Sequence, residues 1–311
     1  MSNDNEELKP LSFDEADDTL KPLNFDTKQQ DNTDFVPLAK PNSNELKNKD
    51  SNFVLFFGSA SSGKSVILSS MLYFLNSQAG VLRPNLSTPN SRDAMILLSD
   101  FFDNIRKGIF PNRTTKDQVT RLDFIFEPNN KSKKVPPINL TFLETAGDNN
   151  YEIRRGGKFH SSIDTYLSAK IPLTIIIVTS RDNAHKEDTF IYEFLNELHK
   201  KEKTLQSINI ILVISKWDKS GKLEVAHTNE LDEFIADNLP ITNKAIDTYE
   251  FSKSFYTIGE LTSINGEERI KILSLATAEV LSKWLYRSIV GYDLDYEGTF
   301  WERIKFSIKN S

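Results

Sequence analysis

The sequence has no cysteine, which excludes disulfide staples and thiolate metal sites and makes a reducing, cytoplasmic setting the natural expectation. It has only four histidines, His160, His185, His199 and His227, and no metal-ligand spacing joins them. Long hydrophobic runs are missing. No apolar region follows a basic N-terminal start, and the apolar stretches are of strand length, so neither a secretory leader nor a membrane span is expected. A basic excess is also absent. The net charge is −6, and residues 1–50 hold twelve acidic residues against six lysines, so residues 51–311 are formally neutral. Bulk electrostatics therefore give no basis for a nucleic-acid surface. What remains is the composition of a soluble globular protein, read as one domain over 51–311 with a tail before it.

Residues 1–50 are rich in Asn, Asp, Lys and Pro and lack helical or strand periodicity, so they are expected to be disordered. Within them Leu8-Lys9-Pro10-Leu11-Ser12-Phe13-Asp14 recurs as Leu20-Lys21-Pro22-Leu23-Asn24-Phe25-Asp26, with a looser echo at Phe35-Val36-Pro37-Leu38. A repeated Leu-Lys-Pro-Leu-x-Phe-Asp reads as a short docking motif present twice, where linkage raises avidity. The alternative is a duplicated low-complexity segment that nothing reads.

The strongest signal is Gly58-Ser59-Ala60-Ser61-Ser62-Gly63-Lys64-Ser65, between the apolar run Phe53–Phe57 and the amphipathic stretch Val66–Leu75. This is the pattern of a phosphate-binding loop delivered by a buried strand and followed by a helix. Small residues let successive backbone N–H groups curl around phosphate oxygens, and the helix N-terminus adds its positive dipole end. Gly63 leaves room for the phosphate, Lys64 reaches the terminal phosphates, and the Ser65 hydroxyl can ligate magnesium. The plain alternative is a Gly-Ser turn between a strand and a helix.

A helical insertion is expected over about 81–119, where Ala94, Ile96, Leu97, Phe101, Phe102 and Ile105 keep helical spacing. Leu122, Phe124 and Phe126, then Ile138, Leu140 and Phe142, alternate with polar residues around the loop 128–134 and predict an antiparallel hairpin. Near-continuous apolar runs at 173–178 and 208–214 predict buried parallel strands, and 254–258 a weaker one. Helical stripes are read at 190–198, at 231–239 ended by Pro240, and in a last helix bearing Ile270, Leu273, Val280, Leu281, Trp284, Leu285 and Ile289. The expectation is a three-layer α/β P-loop domain with a mostly parallel six-stranded sheet, one antiparallel strand, and four or five helices.

Two further segments resemble the signatures of a family. Leu143-Glu144-Thr145-Ala146-Gly147-Asp148 resembles the Asp-Thr-Ala-Gly stretch of Ras-like GTPases, and Ser215-Lys216-Trp217-Asp218 resembles their Asn/Thr-Lys-x-Asp guanine motif. In order and spacing the chain resembles a TRAFAC-class P-loop GTPase with Ras-like topology over roughly 51–290. The segment Phe110-Pro111-Asn112-Arg113-Thr114-Thr115 also resembles predicted bacterial double-GTPase proteins of conflict systems.

The resemblance implies GTP and GDP as ligands and Mg2+ as cofactor. It places Asp218 on the guanine N–H groups, the Lys216 stem over the base, and Thr257, in the loop Thr257-Ile258-Gly259, beside the base. Thr115 or its neighbour Thr114 would join Ser65 and Glu144 around the metal, and the Gly147 N–H would meet the γ-phosphate.

Three positions depart from the family pattern. Glu144 replaces an Asp, Ser215 stands where Asn or Thr ties the base loop to the phosphate loop, and Asp148 occupies the place of the water-orienting glutamine. Arg154 and Arg155, in the charged segment 149–158, are the cis candidates for stabilising transition-state charge. Three readings follow. One is a slow GTP-hydrolysing switch acting on a protein partner through its repeats or switch loops. The second is a nucleotide-binding interaction protein with little or no turnover. The third is an ATPase, which requires Lys216 and Asp218 to have other roles.

Overall fold

A computed structural model describes residues 51–88, 91–111, 119–145, 147, 153, 159, 161–169, 171–201, 208–221 and 229–297. The tail and its repeats lie outside the described residues. The strand β1 (Ser51–Phe57) shows why the central runs do not alternate in polarity. Phe53, Leu55 and Phe57 enter one core cluster while Val54 and Phe56 enter another on the opposite face. A strand covered on both faces has no solvent side to mark with polar residues.

The sheet adds β2 (Gly80–Pro84), β3 (Val119–Pro128), β4 (Ile138–Thr145), β5 (Leu173–Ser180), β6 (Asn209–Ser215) and β7 (Ser252–Phe255) in the order β2-β3-β4-β1-β5-β6-β7. β1 pairs in parallel with β4 and β5, and β6 and β7 continue the parallel series. β3 is antiparallel to both β4 and β2, so it alone runs against the rest. The six expected strands are joined by a seventh, β2, at the edge. Its Gly at one end and Pro at the other read as breakers, but an edge strand tolerates both because only one side must pair.

One face of the sheet carries α1 (Lys64–Phe74), α2 (Ser91–Arg106) and α7 (Ala276–Val290). The other carries α3 (Ser161–Ser168), α4 (Ala184–Lys200), α5 (Glu230–Asn238) and α6 (Pro240–Tyr249). Seven α-helices among the described residues exceed the expected four or five. Pro240 is one reason: it opens α6 rather than merely ending α5. Its missing N–H is no loss in a first turn, and the Asp188 carboxylate on α4 accepts from the next two N–H groups, of Ile241 and Thr242, at 2.9 and 2.8 Å.

Ile270 and Leu273 require a second correction. They belong to a strand, not to the last helix. β8 (Gly259–Ile264) and β9 (Glu267–Leu273) form a separate antiparallel hairpin. Its turn, Asn265-Gly266, has φ of 53° and 83°, the pair of positive values that a two-residue hairpin turn of the primed type requires. The three-residue spacing of Ile270 and Leu273 imitates a helix, whereas Asn-Gly is the stronger local signal. Asp123 also departs from the expected alternation. It is buried in an ion pair with Arg121 at 3.1 Å and accepts from the Thr141 hydroxyl at 2.6 Å.

Candidate functional site

The phosphate loop leaves β1 at Gly58, where φ is +155° and an added Cβ would lie 2.1 Å from the Val178 carbonyl oxygen on β5. Only glycine passes so close to a neighbouring strand. The loop then runs through Ser59, Ala60, Ser61 and Ser62 to Gly63, the N-cap of α1. Lys64 is buried, and its ammonium donates to the carbonyls of Gly58 at 3.0 Å and Ser59 at 2.8 Å, which holds it folded over the loop.

A residue outside every expected motif fixes the far side of the loop. Glu187 on α4 is buried, accepts from the Ser59 hydroxyl through one oxygen, and from the Thr179 hydroxyl at 2.6 Å through the other. Its sequence signal was a charge three and four positions before Phe190 and Ile191, on the apolar stripe of the helix.

β4 delivers Glu144 to the same place. Its carboxylate accepts a hydrogen bond from the Ser65 hydroxyl, so the longer side chain reaches the start of α1 directly. A hydroxyl and a carboxylate are hard oxygen donors, the set that magnesium takes together with phosphate oxygens and water. Gly147 presses onto the crown of the loop, since an added Cβ would stand 2.1 Å from the Ala60 nitrogen. Thr114, Thr115, Ala146, Asp148, Arg154 and Arg155 lie outside the described residues.

β6 ends at Ser215, whose hydroxyl donates to the Ser62 carbonyl at 2.5 Å. The serine thus makes the tie between base loop and phosphate loop. Lys216 follows with φ of 56°, and Trp217 turns inward, fully buried between Phe234 and Phe255 with the Arg181 guanidinium 4.8 Å from its ring centre. This anchor sets the direction of Asp218.

Burial pushes the Asp218 carboxyl above the usual carboxylate range, against the opposing pull of a backbone hydrogen bond, the Lys219 charge and the Thr257 hydroxyl. Burial, then the neighbouring Lys219 charge, pulls the Lys216 ammonium below the usual lysine range. Thr257 is buried and hydrogen-bonds Asp218, so the structure places it behind the carboxylate, with its backbone held to Thr277.

All three segments meet in one cavity of about 310 Å3, within the range of small-molecule sites. Lys64, Ser65, Glu144 and Gly147 line one end, and Lys216 and Asp218 the other. Phe110 after α2 and Ile258 of the expected base loop also line it, together with Leu261 and Glu268 of the hairpin, which belong to no motif read in the sequence.

The strand order from β3 to β7 and the placement of these loops at the carboxyl edge of the sheet give the three-layer α/β architecture of a P-loop domain. Of the segment resembling double-GTPase proteins, only Phe110 and Pro111 lie among the described residues.

No protein-family model and no curated protein matches the sequence. Among solved structures, the chain is similar to one titled as the signal recognition particle receptor SRb-GTP/SRX complex of Chaetomium thermophilum, at 15% identity and a TM-score of 0.41, covering 77% of this chain and 99% of that one. It is also similar to the Roco2 RocCORdC protein of Methanosarcina barkeri bound to GDP, at 13% identity and a TM-score of 0.37, covering 85% of this chain and 57% of that one. No helix among the described residues is long and apolar enough to cross a membrane.

Proposed function

We propose that this chain binds guanine nucleotide with magnesium, hydrolyses GTP slowly, and acts as a cytoplasmic switch on a protein partner. The observation that carries the reading is the single cavity with Lys64 and Ser65 at one end and Lys216 and Asp218 at the other. In this reading the N–H groups of Gly58 to Ser65 and the Lys64 ammonium bind phosphate oxygens. Asp218 accepts from the guanine N1–H and exocyclic amine. Adenine offers a donor and an acceptor instead, which leaves the carboxylate badly matched.

Ser65, Glu144 and Thr115 would hold the magnesium ion, which when bound neutralises phosphate charge. The Gly147 N–H would meet the γ-phosphate. Hydrolysis is assigned to Lys64, Asp148, Arg154 and Arg155. Asp148 puts negative charge beside an anionic γ-phosphate, and an arginine outside its working position contributes little. Turnover is therefore slow until a partner brings Arg154 or Arg155 to the γ-phosphate. The repeated Leu-Lys-Pro-Leu-x-Phe-Asp of the tail and the switch loops are the proposed partner contacts.

The test is titration of the full-length protein with GDP, GTP and ATP, with and without magnesium, followed by single-turnover GTP hydrolysis by the wild type, Asp148→Ala and the double Arg154→Ala, Arg155→Ala variant. Tight GDP and GTP binding with weak ATP binding is expected, and equal affinity for ATP would remove the guanine assignment. Guanine binding without any turnover would turn the reading into a nucleotide-binding interaction protein. Fast turnover unchanged in the variants would take Asp148 and both arginines out of the mechanism.

A further inference from the structure

One carboxylate in the cavity belongs to none of the three motifs. Glu268 sits on β9, two residues after the Asn265-Gly266 turn, and lines the cavity on the side of Lys216 and Asp218. The hairpin is tied to the segment after α2 by one backbone hydrogen bond and closed at its base by another. The Ile270 N–H donates to the Gly108 carbonyl at 2.8 Å, and the Ser274 N–H donates to the Ile258 carbonyl at 2.8 Å. Lys219 Nζ stands 3.9 Å from Glu268 and 4.0 Å from Asp182, which is ion-pair range but beyond hydrogen-bond length. Among the described residues, Glu268 lines the cavity with its acceptors beyond hydrogen-bond reach of Lys219. Its charge is felt at both base-loop residues: it raises the Asp218 carboxyl and favours the charged Lys216 ammonium.

We propose that Glu268 reads the ribose, accepting a hydrogen bond from the 2′-hydroxyl of the bound nucleotide and so selecting ribonucleotides over deoxyribonucleotides. This rests on the guanine-nucleotide reading above. A guanine nucleotide carries few donors. N1–H and one amine hydrogen are matched by the two oxygens of Asp218, and the phosphates only accept. The donors left are the second amine hydrogen and the ribose hydroxyls. A carboxylate lining the same cavity, on a hairpin tied to the segment after α2, is chemically matched to the hydroxyls. A site that hydrogen-bonds a hydroxyl rejects the analogue lacking it, because the acceptor then stays unpaired. The Glu268 side chain is 55% exposed, so water offsets part of that loss and the expected discrimination is about tenfold rather than several orders of magnitude.

The experiment is label-free calorimetry on the full-length protein with GDP, 2′-deoxy-GDP and inosine diphosphate, for the wild type, Glu268→Ala and Glu268→Gln, with a thermal melt of each variant as a folding control. The wild type should prefer GDP to 2′-deoxy-GDP by about tenfold. That ratio should fall to about one in Glu268→Ala, and to an intermediate value in Glu268→Gln, which keeps one neutral acceptor. A wild-type ratio near one overturns the proposal, as does a ratio that survives in Glu268→Ala. A Glu268→Ala change confined to the ratio of GDP to inosine diphosphate, which lacks the amine, also overturns it, because Glu268 would then read the base. Failure of the wild type to bind any of the three removes the guanine-nucleotide reading itself, an outcome separate from those.

Discussion

The two ends of the cavity are built on different principles. The phosphate end comes mostly from six consecutive residues, Ala60 to Ser65, with Glu144 and Gly147 added from β4 and the segment after it. In the proposed reading it would bind through backbone groups and a single ammonium, a chemistry indifferent to which base is attached. The base end comes from three separate stretches of the chain: Phe110 after α2, Lys216 and Asp218 after β6, and the run from Ile258 through Leu261 to Glu268 on the hairpin. Phosphate is the same in every nucleotide, so a short local motif suffices. Selecting one base requires walls on several sides, which only separate segments can supply.

The sharpest way to test that division is to disable each end alone. Lys64→Ala should weaken GDP, GTP and ATP alike, by about a hundredfold, because a buried charge-assisted contact to phosphate is lost for all of them. Asp218→Asn should weaken guanine nucleotides by about tenfold and leave ATP where it was, because only the guanine edge loses its acceptor. Parallel titrations of both variants with all three nucleotides check this. An Asp218→Asn variant that loses ATP and GTP equally would mean that the two ends are not separable.

A smaller effect should come from the joint between the ends. The Ser215 hydroxyl holds the base loop to the Ser62 carbonyl, and both groups are buried. Ser215→Ala removes a bond worth about 1 kcal/mol and leaves a buried carbonyl to be satisfied elsewhere. GDP affinity should fall about fivefold, chiefly through faster release measured by stopped flow, and Tm should fall by a few degrees.

The smallest effect concerns stability rather than binding. Burial holds the Asp218 carboxyl above its ordinary range, so the folded protein binds that proton more tightly than the unfolded chain does. The stability this contributes is full below the ordinary carboxylate pKa and is lost as pH rises through the folded value. At about pH 7.5 the ionised carboxylate is therefore a cost, moderated by the partial exposure of the site. Asp218→Asn, permanently neutral, should raise the Tm of the nucleotide-free protein by about 1–2 °C there and give no gain near pH 4. Melting curves at the two pH values decide it, and a variant equally or less stable at both would show that the carboxylate is not strained in place.

The chain order alone determined the phosphate loop, the central parallel strands and the positions of Glu144 and Lys216-Trp217-Asp218 at strand ends. Each of these is local: a loop pattern, an apolar run of strand length, or a short signature following such a run. Asn265-Gly266 was equally legible as a hairpin turn, but the spacing of Ile270 and Leu273 hid it behind a helical reading. Other features had no local sign. Glu187 looks like one more helix glutamate until α4 packs beside β5 and brings it to Ser59 and Thr179. The edge strand β2 exists because β3 offers it a partner, against its own Gly and Pro. Phe110 and Glu268 share a cavity across the fold, beside the backbone bond from Ile270 to Gly108. Local propensity acts over a few residues, whereas the walls of this site depend on which elements pack together, and that is fixed only when the whole core closes.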